Sequence, residues 1–187
     1  MPKDPLAPDP DRDITLDTAT LRVLAHPMRL NLLNRLRQYG PATATQLADV
    51  FSLDTGAASY HLRRLAAGGL IEEDESRGSG RDRWWRAKHR SSFHDPAGSP
   101  DQPESRAYAQ AGVLAYSDEL RRVAGVIPLL PNDWYGASIF SDYTLRLTPD
   151  RLNALKTELV ETISRYRDED DGDPVSLQLQ AFPLLDR

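Results

Sequence analysis

The stretch Ser52–Leu70, SLDTGAASYHLRRLAAGGL, constrains what the rest of the chain can be. Ala58, Leu62 and Leu65 recur at i, i+4 and i+7, which predicts a helix over about Thr55–Ala67 with a narrow apolar edge. Gly56, Tyr60, Arg63 and Arg64 fall on the opposite side, with Ser59 on its flank. Two guanidinium groups, a phenol, a hydroxyl and a position without a side chain suit approach to a polyanion better than burial. Asp54 or Thr55 supplies an entry cap and Gly68-Gly69 an exit, after which Leu70-Ile71 opens a strand.

Upstream, Leu16–Ala25 reads as a short helix broken at His26-Pro27. A second helix carries Met28, Leu32, Leu33, Leu36 and Tyr39 on one side and stops at Gly40-Pro41. Thr43 and Gln46 have capping-box spacing and open a third helix with Leu47, Val50 and Phe51 apolar. With Ser52–Asp54 as the connection, this is a helix-turn-helix arrangement, and the stretch 52–70 becomes its DNA recognition helix. Downstream, Leu70–Ser76 and Asp82–Lys88 bracket a glycine-flanked hairpin tip bearing Arg77 and Arg81, with Arg83 and Arg86 on the return strand. The run Glu72–Glu75 must turn at least alternate members away from phosphate, and Trp84-Trp85 must split between core and surface.

Charge supports this assignment once it is divided along the chain. The net charge of −5 conceals a basic segment: residues 14–90 hold 12 Lys+Arg against 8 Asp+Glu, whereas residues 91–187 hold 9 against 16. With no cysteine among 187 residues, disulfides and thiolate metal sites are excluded. The absence of a long apolar run or a signal-peptide core leads us to expect a cytoplasmic protein without a membrane span.

The segments Leu24-Ala25-His26-Pro27-Met28-Arg29-Leu30 and Ser59-Tyr60-His61-Leu62-Arg63-Arg64-Leu65, with Gly69-Leu70 and Arg83-Trp84-Trp85-Arg86-Ala87, resemble the ArsR-type winged helix-turn-helix regulators. The resemblance covers about residues 16–90 and implies a dimeric bacterial transcription factor, usually a repressor released by a metal or other effector. The Cys pair of the family's metal sensors is missing here, so no metal site is carried over.

Beyond the wing, Glu104–Gly125 reads as a long helix whose stripe Tyr108, Ala111, Gly112 and Ala115, widened by residues such as Leu120, suits a symmetric dimer. Ile127–Trp134 reads as a connector. Ser138–Leu147 and 175–182 alternate as strands around a helix from Thr148-Pro149 to about Arg167, which should bury Leu152, Leu155, Leu159, Ile163 and Tyr166. The aromatics Trp134, Tyr135, Tyr143, Tyr166 and Phe182 read as the core of that unit, or as the lining of an effector pocket.

The expected fold is α+β, mainly α: a disordered tail at 1–13, a winged helix-turn-helix domain at 14–90, a linker at 91–103, and at 104–187 a dimerisation helix with a strand–helix–strand unit. Thr55, Gly56, Ser59, Tyr60, Arg63, Arg64, Arg77, Arg81 and Arg83 are the expected contacts to double-stranded DNA. His61 is read as structural, and His89, His94 and Asp95 do not amount to a metal site. No catalytic constellation or phosphate loop is present, so neither an enzyme nor a cofactor is expected. The function expected is a homodimeric repressor reading a pseudo-palindromic operator, with room for an unidentified small-molecule effector. The rivals are a sensor dominated by its C-terminal unit and a winged helix used for protein assembly.

Overall fold

The computed structural model describes residues 8–77, 83–98, 101–166 and 172–184. Its elements are β1 (Asp13–Thr15), α1 (Thr18–Leu24), α2 (Pro27–Tyr39), β2 (Ala42–Thr43), α3 (Ala44–Phe51), α4 (Thr55–Ala67), β3 (Ile71–Glu73), β4 (Trp84–Ala87), β5 (Ser91–Phe93), α5 (Pro103–Val126), α6 (Asn132–Ala137) and α7 (Pro149–Ser164). The described residues divide into two compact units, one from 8–121 with 177–184 and the other from 122–176.

In the larger unit α1 to α4 each start where a side chain satisfies free N–H groups. The Asp17 carboxylate accepts from the Thr20 N–H at 2.8 Å, and His26 Nδ1 accepts from the Met28 N–H at 3.2 Å with Pro27 next in line. Thr43 and Gln46 form the expected reciprocal box, at 3.2 and 2.9 Å. Ser52, at φ 53°, turns the chain from α3 into α4. At the far end of α4 the Leu70 N–H donates to the Leu65 carbonyl at 3.1 Å and the Gly69 N–H to Ala66 at 2.9 Å. This double closure needs a left-handed residue, which Gly69 provides at φ 70°. Leucines of α1 to α4, among them Leu24, Leu33, Leu47, Leu62 and Leu65, then meet in one core.

β2, β4 and β3 make an antiparallel sheet in that order, pairing Thr43 with Trp84 and Glu72 with Arg86. Trp85 is buried and Trp84 only half so, as the alternation requires. β3 is shorter than expected because the Asp74 carboxylate accepts from both the N–H and the hydroxyl of Ser76, bending Glu75–Arg77 into a tight turn. The hairpin tip, Arg81 included, lies outside the described residues.

Three expectations need correction in this unit. Asp13–Thr15 is a strand paired in parallel with Ser91–Phe93, so the stretches 1–13 and 91–103 are structured where they touch, not simply tail and linker. The pairing is supported by Arg37, which donates to the His89 carbonyl at 3.0 Å and to the Ser92 hydroxyl at 2.8 Å. In α5, Ala111 and Ala115 are 3% and 1% exposed within the protomer's own core and so cannot be dimer contacts. The small-residue stripe lets α5 approach its own domain closely, leaving Val113, Leu114 and Leu120 outside.

In the smaller unit α7 opens as expected, with the Thr148 hydroxyl accepting from the Arg151 N–H at 3.3 Å and Pro149 in first position. The expected connector Ile127–Trp134 instead runs into the helix α6, which begins at Asn132. Ser138–Leu147 and 175–182 are not paired into any sheet among the described residues. The expected core is therefore absent from the single protomer: Leu152, Leu155 and Ile163 are half-buried, while Leu159 and Tyr166 are exposed. Of the aromatics expected to gather, Trp134, Tyr135, Tyr143 and Tyr166 are exposed here, and Phe182 is exposed in the larger unit. An alternating segment buries one face only when a second strand or a helix completes the layer.

Removing the Leu62 side chain should lower stability by about 2–5 kcal/mol in urea unfolding, by opening a cavity in the core. Gly69→Ala should cost about 1 kcal/mol through its left-handed backbone, and Arg63→Ala, on the exposed face, under about 0.5 kcal/mol.

Candidate nucleic-acid interface

α4 is held by its inner edge alone. Ala58, Leu62 and Leu65 are fully buried, and the Asp54 carboxylate accepts from the Ala57 N–H at 2.7 Å at its start. On the outer side Thr55, Gly56, Tyr60, Arg63 and Arg64 are exposed and Ser59 is half-exposed. Neither Arg63 nor Arg64 makes an ion pair or hydrogen bond with a described residue. Six of the nine expected DNA contacts thus share one helix face, and its two guanidinium groups are unspent.

Beside that face lies a polar notch of about 360 Å³ whose rim includes Thr43, Thr45, Thr55, Ser59, Arg63 and Arg83. It joins the N-terminal turns of α3 and α4 to the base of the wing, so hydroxyls, a guanidinium and helix N–H groups converge there. Thr43 and Thr45 were not among the sequence candidates. Their only signal was the capping box, which speaks of helix starts and not of a neighbouring helix.

Arg29 is a further residue that sequence reading missed. Its guanidinium donates to the Val23 and Arg22 carbonyls at the end of α1. Burial and the nearby Arg64 lower its pKa, which places it beside the basic face. The wing is more self-satisfied. Arg83 pairs with Glu73 at 3.1 Å, Arg86 with Glu72 at 2.8 Å, and Arg77 with Asp74 at 3.7 Å while lying over the Trp84 ring. These pairs resolve the acidic run: Glu72, Glu73 and Asp74 are each matched by an arginine of the hairpin.

His61 turns out to be part of the packing, its ring 4.7 Å from that of His26 and edge-on to Tyr60. Burial holds both histidines below their ordinary pKa, and Arg29 beside them adds to the effect. Away from this face His94 meets the Ser105 hydroxyl at 2.7 Å.

Three packed helices, a tight turn into an exposed basic helix and a β-hairpin beside it define a winged helix-turn-helix protein. Residues 24–74 match the family described as a helix-turn-helix domain. Over 72 residues the chain is 36% identical to the HTH-type transcriptional regulator NmtR of Mycobacterium tuberculosis (strain ATCC 25618 / H37Rv), an overlap of 38% of this chain and 59% of that protein. The domain match falls on segments that resemble ArsR-type regulators, and the chain spans less than two thirds of the length of that relative. No helix among the described residues is long and apolar enough to cross a membrane.

The depressed pKa values of His26, His61 and His89 set a pH dependence. As pH falls the unfolded chain takes up protons first, near pH 6.5, so stability is complete above that value and declines below it. Asp17 and Asp74, held low chiefly by hydrogen bonds to Thr20 and Ser76, act only under about pH 4. Thermal unfolding should show a lower Tm at pH 5.5 than at pH 8, and His61→Asn should reduce the difference.

Proposed function

We propose that this chain is a DNA-binding transcriptional regulator that acts in the cytoplasm as a homodimeric repressor. One observation carries the reading: α4 spends its apolar edge on the core and leaves Thr55, Gly56, Ser59, Tyr60, Arg63 and Arg64 uncommitted on a single exposed face. In the major groove that face offers bidentate arginine contacts to bases, and the polar notch offers phosphate contacts beside them. Arg77, Arg81 and Arg83 of the wing then track the flanking backbone. Arg77 and Arg83 first exchange their carboxylate partners for phosphate, so their net gain is smaller than that of Arg63.

A second copy completes the assembly. Val113, Leu114 and Leu120 on α5 are exposed apolar residues, and Ile139 and Tyr143 are each 81% exposed. Contact through Leu114 and Leu120, with the alternating C-terminal segments pairing across a two-fold axis, covers such surfaces and sets two copies of α4 on one duplex. The corresponding operator is pseudo-palindromic, with half-sites one helical turn or a multiple apart.

Selection of bound fragments from the source genome, followed by anisotropy titrations at several salt concentrations, tests this. Binding should weaken steeply with salt. Arg63→Ala should cost about 1–3 kcal/mol on the selected site and relax its sequence preference, whereas Arg81→Ala should weaken all sequences alike and flatten the salt slope by about one. Salt-independent binding, or equal losses for both variants on every sequence, contradicts the assignment. Leu120→Asp should shift sedimentation from dimer to monomer and lower affinity for the two-half-site fragment more than for a single half-site.

A further inference from the structure

The larger unit contains a cavity of about 690 Å³ on the side of α2 away from the recognition helix, walled by α2, the start of β5, α5 and the stretch Leu179–Phe182. Its volume is in the range of sites for small organic ligands and equals that of about 20 water molecules in the liquid. Leu30 gives it a buried apolar wall, and Val113 and Phe182, 51% and 68% exposed, form its open rim. Arg37, Tyr108 and Tyr116 give it polar groups.

Arg37 and Tyr108 keep hydrogen-bond donors beyond those they use within the chain. Arg37 has five N–H donors, of which one meets the His89 carbonyl and one the Ser92 hydroxyl, both neutral acceptors. No carboxylate among the described residues forms an ion pair with it. The nearest acidic group, Asp13, has a buried side chain that is engaged by Arg90 at 3.6 Å and by the Asp9 N–H at 2.9 Å. Arg90 also lines the cavity. Burial lowers the Arg37 pKa to about 10, so it remains charged at neutral pH. Tyr108, mostly buried and edge-on to the His94 ring, donates its hydroxyl to no described residue, and burial raises its pKa and keeps it a neutral donor. A half-buried guanidinium with donors left over, next to a phenol and apolar side chains, is matched in chemistry by an anion attached to an apolar body.

We propose that this cavity binds a monocarboxylate with an apolar body, the carboxylate on Arg37 and the Tyr108 hydroxyl and the body against Leu30, Val113 and Phe182. Because α2 is the first full helix of the helix-turn-helix, occupancy joins α5 and the C-terminal stretch to the DNA-binding half. That consequence, unlike the binding itself, rests on the reading of the chain as a DNA-binding regulator.

Titration calorimetry of the full chain without DNA tests the site, with hexanoate, decanoate, benzoate, phenylacetate and indole-3-acetate as probes and their primary amides as controls. At least one acid should bind once per protomer, at least tenfold more tightly than its amide. Arg37→Met should abolish that preference. Tyr108→Phe, which keeps the ring packing, should weaken the acid several-fold and leave the amide unchanged. If no acid binds, or if the acid binds Arg37→Met and Tyr108→Phe as well as the parent chain, the proposal is overturned. A second arm repeats the DNA titration with saturating acid. Acid binding without any DNA binding supports the cavity and overturns only the regulator reading, while DNA binding without acid binding does the reverse.

Discussion

The wedge of Ala58, Leu62 and Leu65 into leucines of α1, α2 and α3 is the contact on which the rest of this protein depends. It fixes α4 along one edge and leaves Thr55, Gly56, Tyr60, Arg63 and Arg64 exposed. A wider apolar stripe would sink the helix deeper and take Tyr60 or Arg64 with it; a narrower one would not hold it against solvent. The double hydrogen-bond closure at Gly69 then sends the chain straight into β3, which brings the wing alongside the same exposed face.

Charge is sorted between these two neighbours. On the hairpin, the acidic run and the arginines lie on adjacent strands, where cross-strand registry pairs Glu72 with Arg86 and brings Arg83 to Glu73. On α4 no acidic residue follows Asp54, and Asp54 is committed to the helix start, so Arg63 and Arg64 keep their charge for an outside partner. Arg29 adds to the field from α2 while capping α1, one side chain serving both the fold and the electrostatics of the face. The overall acidity of the chain is thus compatible with a basic working surface, because the excess acid is elsewhere in sequence.

The same logic explains why α5 departs from expectation. Ala111, Gly112 and Ala115 are small enough for close helix packing, but sequence spacing does not say whose helix approaches. The protomer's own core takes Ala111 and Ala115, and the apolar residues left over are the larger Val113, Leu114 and Leu120. Likewise the alternating segments on either side of α7 are strands in pattern only, since a strand exists by virtue of its neighbour.

Local chemistry determined the helix-turn-helix from sequence alone: the caps at Thr43 and Asp54, the leucine spacing, the glycine exit of α4 and the split of the two tryptophans are each set within a few residues. Tertiary structure alone decided what depends on distant partners. It paired Asp13–Thr15 with Ser91–Phe93, brought Arg29 beside Arg64, matched the wing's arginines to its acids and placed Arg37 and Tyr108 on one cavity. The division follows from range: hydrogen-bond caps and helical periodicity act over four to seven residues, whereas desolvation and ion pairing depend on which distant segments the packed core happens to bring together.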